Sequence, residues 1–464
     1  MRKSTVKATL KTMSSSSSLL TILGLLLLST SPSPAISDLP PLYPKAALPT
    51  ESGYLPINSS SSSSSSDALF FAFYEAQKPL SPLASTPLLV WLQGGPGCSS
   101  MVGNLFELGP WLISDDLLLR PNPFSWNRRF ALLFIDSPLG TGFSSASSPV
   151  SIPGEQPTVA AHLFSALQSF LSSHPLSFRS RPLFLTGESY AGKYVPAAAY
   201  HILRQNPIFP PPLRINLAGV AIGNGLTHPT AQIGTHASAA YFAGLINDRQ
   251  RAKLEDLQNE AIALARAGKW LEAADARTLA LDWLQNTTGL ATLYDLTKKK
   301  PYATAKLTVF LNREEVKEAL GVKKETTWVE CSKVVSNVMK KDIMKSVKFM
   351  VEEVVKNSRV LLYQGIFDLR VGVASAEAWM KEMNWEGIGS FLDAERRVWR
   401  VEGEVAGYLQ KWGNLTHVVV SGAGHLAPAD QGRSTQAMIE GWVLKSGDFG
   451  EEEEEKDFSL RRSE

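Results

Sequence analysis

The chain of 464 residues is poor in the features that would place it in several large classes. It has two cysteines, Cys98 and Cys331, and so can form at most one disulfide. It has little surplus charge: 46 basic and 44 acidic residues leave a formal net charge of +2. That balance gives no broad field for nucleic acid or an anionic membrane, and no stretch resembles a basic nucleic-acid module. There is no G-x-x-x-x-G-K-[ST] phosphate loop and no G-x-G-x-x-G, so no nucleotide site is read. No metal cluster or cofactor motif stands out, and the expectation is no metal and no cofactor. Beyond the N-terminus no apolar run reaches the ~20 residues needed to span a bilayer. No C-terminal lipidation or retention signal is present.

What is present begins with a leader. Arg2, Lys3, Lys7 and Lys11 precede an apolar stretch, Leu19 to Leu28, and then small and proline-rich residues up to Ser37. Basic region, short apolar core and cleavage zone, in that order, predict a cleaved secretory signal peptide over residues 1–37, the alternative being a signal anchor, for which the apolar core is short. After its removal no membrane attachment is expected, and the protein belongs to the secretory pathway, outside the cell or in a vacuole. In that oxidising route Cys98 and Cys331 form either one long-range bridge, the favoured reading, or two buried thiols. Asn58, Asn286 and Asn414 each head an N-x-[ST] sequon and are candidate glycosylation sites.

Short apolar runs recur along the mature chain: Ala68–Tyr74, Leu88–Leu92, Ala131–Ile135, Leu183–Thr186, Leu217–Ile222, Val360–Tyr363 and His417–Val420. The middle ones are nearly continuous, as in strands covered on both faces. Helical stretches such as Val159–Leu171 and Ala374–Met383 separate them. The expected fold is α/β with a mainly parallel central sheet flanked by helices. From Asn247 to Asn286 the pattern turns strand-poor and helix-rich, with Gly268 dividing two helical pieces. The expected layout is a core in two parts, 38–224 and 346–446, a helical cap inserted at 225–345, and a charged tail, 447–464. Pro49 to Asn58 and the serine run Ser59–Ser66 read as surface loop.

Three strand ends carry candidate chemistry. Ser189 lies in Thr186-Gly187-Glu188-Ser189-Tyr190-Ala191-Gly192, between an apolar run and a helical one. A serine on such a turn is lifted out of the sheet, and small neighbours are needed because the turn is crowded. Asp368 follows Val360–Tyr363, and His425 follows His417–Val420 in a glycine-rich loop. Alone, each is more often a turn, cap or loop residue. Together, in the order nucleophile, acid, base and each after a strand, they match a hydrolase triad at the carboxyl edge of an open sheet. The strand Leu88–Leu92 runs into Gln93-Gly94-Gly95-Pro96-Gly97, whose exposed N–H groups suit a developing oxyanion. The N–H of Tyr190 is the second expected donor.

These stretches resemble the serine carboxypeptidases, the S10-type α/β-hydrolases, and more closely the plant serine carboxypeptidase-like proteins. The matching segments are Trp91 to Ser100, Glu107 to Pro110, Ser125 to Asn127, Asp136 to Ser144, Gly187 to Pro196, Gly223 to Gly225, Phe310 to Asn312, Gly365 to Gly372 and Gly422 to Gln431. The resemblance implies an α/β-hydrolase fold with a helical insertion and a triad of Ser189, Asp368 and His425. It implies oxyanion donors at Gly95 and Tyr190. Trp91, Gln93, Gly94 and Glu188 match positions that hold the substrate's terminal carboxylate, and Glu107 matches a glutamate paired with Glu188. A bridge Cys98–Cys331 is implied too. The chain departs from the common pattern at Gln93, where asparagine is usual, and in having at most one disulfide.

A glutamate beside a substrate carboxylate avoids like-charge repulsion by sharing a proton with it. Peptide cleavage at acidic pH is therefore expected. The implied activity is release of C-terminal residues from peptides and proteins through an acyl-enzyme. The alternatives are an acyltransferase using acyl-glucose donors on the same scaffold, or a binding protein that has lost its chemistry.

Overall fold

The computed structural model describes residues 42–57, 67–173 and 178–450. The leader, Asn58, the serine run and residues 451–464 lie outside the described residues. The strands, in chain order, are β1 (Glu51–Pro56), β2 (Ala68–Tyr74), β3 (Leu88–Leu92), β4 (Trp111–Ile113), β5 (Leu119–Pro121), β6 (Ala131–Ile135), β7 (Leu183–Glu188), β8 (Leu217–Gly223), β9 (Arg359–Gly365), β10 (Arg397–Val401), β11 (Glu404–Trp412) and β12 (Leu415–Val420). Ten of them form one sheet in the order β1-β2-β6-β3-β7-β8-β9-β12-β11-β10, while β4 and β5 pair separately. From β6 to β12 the neighbours run parallel. Antiparallel strands close each edge.

The apolar runs explain the middle of this sheet. Every residue of β3, β6, β7 and β12 is buried. Alternate side chains enter two separate cores: Leu88, Val90 and Leu92 on one face, Leu89 and Trp91 on the other. A strand with water on one face would alternate in polarity, and these do not. The helices Gln156–Ser173 and Ala191–Gln205 cover the first face. Between β8 and β9 the chain is helical. Asn247 caps the helix Asp248–Arg266 by accepting from Gln250 N at 3.0 Å, and Asn247 N donates in return to Gln250 Oε1 at 2.9 Å. Gly268, at φ +71°, separates it from the helix Trp270–Thr288. These two helices contribute Leu254, Ala261, Leu281 and Leu284 to a separate small core that also takes in Ile233, Met344 and Leu369. No helix among the described residues is long and apolar enough to cross a membrane.

Two edge regions differ from the sequence reading. The expected loop at Pro49 to Asn58 contains β1, which pairs antiparallel with β2 along its length. Glu51-Ser-Gly-Tyr-Leu-Pro56 has weak strand propensity. The open edge of β2 decides the matter, and the terminal position suits the proline. At the other edge β10 and β11 form a hairpin through Glu402 and Gly403, both at positive φ. Past residue 446 the chain makes one more turn, Gly447–Phe449, and Phe449 is buried against Trp399.

Candidate active site

Ser189 directly follows β7. Its φ of 64° is left-handed, a rare conformation for a side chain with a Cβ. The neighbours over-determine it: Ser189 N donates to Gly223 O, and Ser189 O accepts from Gly192 N and Leu226 N, each at 2.9 Å. The helix Ala191–Gln205 begins two residues on. Gly94 has no alternative here, since a Cβ on it would lie 2.4 Å from Tyr190 N and 2.7 Å from Glu188 O. The glycine loop and the elbow thus touch backbone to backbone. The N–H groups of Gly95 and Tyr190 have no hydrogen-bond partner among the described residues.

β9 and β12 are parallel neighbours, so their carboxyl ends deliver Asp368 and His425 side by side. His425 Nδ1 lies 2.6 Å from Asp368 Oδ2. Asp368 is oriented by three further donors: Asn224 Nδ2 at 2.8 Å, Arg370 N at 2.7 Å and Val371 N at 3.1 Å. The His425 ring stacks on Tyr294 with 4.4 Å between centroids, and His425 N donates to Tyr294 O at 2.7 Å. His425 Nε2 is buried and has no partner among the described residues. It is the ring nitrogen left for Ser189, and both residues line one cavity of about 370 Å³. Such contacts are commonly looser before substrate arrives.

The same cavity is lined by Gln93, Gly94, Gly95 and Glu188. Gln93 Nε2 donates to Glu107 Oε1 at 3.1 Å and to Glu188 Oε1 at 3.2 Å. Gln93 Oε1 accepts from the Trp91 indole at 2.8 Å, which fixes the amide's orientation. Trp91 and Glu107 therefore stand behind the wall and act through Gln93. Burial pushes both carboxyl groups to higher pKa, and for Glu188 the nearby Glu107 adds to the rise. The second oxygen of each, Oε2, is buried without a partner among the described residues. Two carboxyls within reach of one amide nitrogen cannot both ionise cheaply, so the pair holds a proton near neutral pH.

The loop that carries Gly94 and Gly95 is pinned from below. Asp136 accepts from Ser99 Oγ at 2.7 Å, Ser100 N at 2.8 Å and Phe143 N at 2.8 Å. Burial nevertheless raises Asp136 to about 6. The Cys98 and Cys331 sulfurs are bonded, and both residues border the cavity. Beneath the elbow, Tyr190 Oη donates to Asp342 Oδ2 at 2.5 Å, and Lys193 Nζ lies 3.1 Å from the same oxygen. Lys193 is completely buried, and desolvation lowers it to about 8.

Of the candidate residues, Ser189, His425, Gln93, Gly94, Gly95, Glu188 and both cysteines meet at the cavity, with Asp368 behind His425. The sequons lie elsewhere. Asn286 is exposed at the end of its helix, while the half-buried Asn414 donates to Val355 O at 2.9 Å. Sequence reasoning missed three supporting residues. Asn224, just past β8, was visible as Gly-Asn-Gly but had no role until Asp368 stood beside it. Asp342 and Tyr294 lie in short or irregular segments with no local signal.

A parallel sheet with a strained serine elbow, and an acid–histidine pair at the next strand ends, defines an α/β-hydrolase. The family model "Serine carboxypeptidase" matches residues 40–445. The chain is 55% identical over 416 residues to "Serine carboxypeptidase-like 50" of Arabidopsis thaliana, covering 89% of this chain and 92% of that one. It is 33% identical over 417 residues to "Probable serine carboxypeptidase CPVL" of Homo sapiens, covering 87% and 85%. The crystal structure of KEX1(DELTA)P, a prohormone-processing carboxypeptidase from Saccharomyces cerevisiae, superposes with a TM-score of 0.77 at 25% identity, covering 86% of this chain and 93% of that one. The chain belongs to the serine carboxypeptidase family.

Proposed function

We propose that the protein removes C-terminal amino acids from peptides and proteins by an acyl-enzyme route. Ser189 is the nucleophile, His425 the base and Asp368 its orienting acid. The observation that carries this reading is the buried Gln93–Glu107–Glu188 cluster on the cavity that Ser189 lines. A general esterase has no use for a proton-sharing carboxyl beside its serine. A carboxypeptidase needs one to receive a terminal carboxylate.

In this reading Ser189 Oγ attacks the last peptide carbonyl while His425 Nε2 takes its proton. The oxyanion is met by the N–H groups of Gly95 and Tyr190. The C–N bond then breaks, His425 protonates the departing amine, and the free amino acid leaves. Water, deprotonated by His425, hydrolyses the Ser189 ester. The segment 225–345 serves as a cap, since it supplies Tyr294 against His425. Residues 1–37 direct the chain into the secretory route, to the cell exterior or a vacuole, which suits the Cys98–Cys331 bridge.

The test is timed release of amino acids from a mixed peptide library by the wild-type protein and by Ser189→Ala. Release by the first and not the second is expected. Equal release by both would refute the assignment. Transfer from acyl-glucose without amino-acid release would favour the acyltransferase. No covalent labelling of Ser189 by an organophosphorus reagent would favour a binding protein.

A further inference from the structure

The tyrosine of the elbow is tied down by its side chain as well as its backbone. The peptide plane between Ser189 and Tyr190 carries the proposed oxyanion donor, Tyr190 N–H. That plane is fixed at its carbonyl end, where Ser189 O accepts from Gly192 N and Leu226 N at 2.9 Å each. Its other end is the Tyr190 Cα, and the ring anchors that end.

Tyr190 Oη donates to Asp342 Oδ2 at 2.5 Å. The same oxygen accepts from Gln156 Nε2 at 2.7 Å and lies 3.1 Å from Lys193 Nζ. Lys193 Nζ also donates to the backbone oxygens of Asp342 and Ile343, the latter at 3.3 Å, and lies 5.3 Å from the centre of the Tyr190 ring. All four side chains, of Gln156, Tyr190, Lys193 and Asp342, are buried. Three separate elements thus converge on one carboxylate oxygen: the first residue of the helix Gln156–Ser173, the first turn of the helix Ala191–Gln205 with the tyrosine before it, and the turn Lys340–Asp342. Replacing a buried ion pair by packed apolar residues is often neutral or stabilising, so stability alone does not account for this cluster. What the cluster does fix is the ring whose Cα ends the oxyanion peptide. An oxyanion donor works by being held in place before charge develops, which requires support from behind.

We infer that Asp342 is a positioning residue for catalysis: by gripping the Tyr190 hydroxyl it holds the Tyr190 N–H on the developing oxyanion. The inference rests on the reading above, in which that N–H is an oxyanion donor. Asp342 touches neither substrate nor reacting atoms and acts through Tyr190, while Gln156 and Lys193 hold the carboxylate in turn. A loosened donor loses a contact that strengthens in the transition state, so the effect falls on kcat rather than KM.

The experiment uses Tyr190→Phe, which keeps the ring and the N–H and removes only the hydroxyl. Deleting an oxyanion donor outright costs about 10²- to 10³-fold in kcat, so a donor kept but loosened should cost about tenfold, with KM within about twofold. Lys193→Met with Asp342→Leu, which removes the carboxylate, should itself show the lowered kcat. Adding Tyr190→Phe to that background should then lower kcat by less than about twofold. A second readout isolates the oxyanion hole. A peptide aldehyde adds to Ser189 Oγ, the serine proton passes to His425, and the former carbonyl oxygen lies where the oxyanion would. The matching peptide alcohol forms no adduct. The aldehyde-to-alcohol affinity ratio should fall about tenfold in Tyr190→Phe, which a loss of stability alone would not produce. A kcat unchanged by Tyr190→Phe, an equal fall in both backgrounds, or an unchanged affinity ratio would overturn the inference. If the wild type cleaves no peptide, the peptidase reading fails instead, and the affinity ratio, measured by calorimetry, still decides the positioning role.

Discussion

The sharpest prediction concerns the Gln93–Glu107–Glu188 cluster and pH. Replacing Glu188 by glutamine removes an ionisable group but keeps a hydrogen-bonding amide of the same size. In the wild type, burial raises Glu107 to about 8 and raises Glu188 as well. Below that range the pair is protonated and accepts a substrate carboxylate. Above it, an ionised Glu188 about 5 Å from that carboxylate costs roughly 3 kcal/mol at an effective dielectric near 20. That corresponds to about a hundredfold in kcat/KM. The readout is the ratio of kcat/KM for a peptide acid to that for the matching peptide amide, from pH 5 to about pH 10. The ratio cancels titrations shared by both substrates, such as that of the base. In the wild type it should begin to fall near pH 8 and approach a hundredfold loss about two units higher. In Glu188→Gln it should start about 5- to 30-fold lower, for the lost proton-sharing bond, and stay flat. A wild-type ratio that is constant or rising, or a variant ratio that falls like the wild type, would refute the reasoning.

The same groups bear on stability. A carboxyl whose folded pKa is raised binds a proton that the unfolded chain releases near 4.5, so its stabilisation is full below 4.5 and is lost as pH rises towards 8. Urea unfolding should show a decline of up to about 1.4 kcal/mol per pH unit per group, and Glu107→Gln should reduce the slope. Asp368→Asn should keep the fold but lower kcat by about 10⁴-fold, because the histidine tautomer is no longer set. A fall of less than tenfold in stopped assays would remove Asp368 from the triad. Lys193→Met leaves Asp342 buried without its cation and should cost about 3–5 kcal/mol, whereas Lys193→Met with Asp342→Leu should recover much of it. Equal losses in denaturant melts of the single and double variants would contradict that account. Cys98→Ser should lower the melting temperature and peptidase rate together, since the bridge ties the glycine loop to Cys331 on the other side of the cavity.

The sequence was most informative where burial is two-sided. β2, β3 and β6 begin and end where the apolar runs do, because a strand covered on both faces has no polar residue to blur its limits. β7 and β9 run on to Glu188 and Gly365, whose hydrogen bonds to neighbouring strands are not encoded in hydropathy. β1 and the β10–β11 hairpin were hidden for the opposite reason. Their residues are mixed in character, and pairing with an existing edge makes them strands. At the site, motif order was enough to bring Ser189, Asp368 and His425 together in expectation. Tyr294 and Asp342 were not legible, because each meets its partner only through the path of the chain between β8 and β9.

The strand order has a further consequence for how the protein is made. β12 lies next to β9 in the sheet, yet among the described residues it is the last strand synthesised. The proposed base follows it. Until that strand docks, the nucleophile and oxyanion donors can be in place with nothing to take the serine's proton. A growing chain would therefore lack the proposed base until β12 and the loop after it have been made. Clipping the polypeptide anywhere before β12 would leave a fragment without the histidine, so truncation products could not become unregulated peptidases.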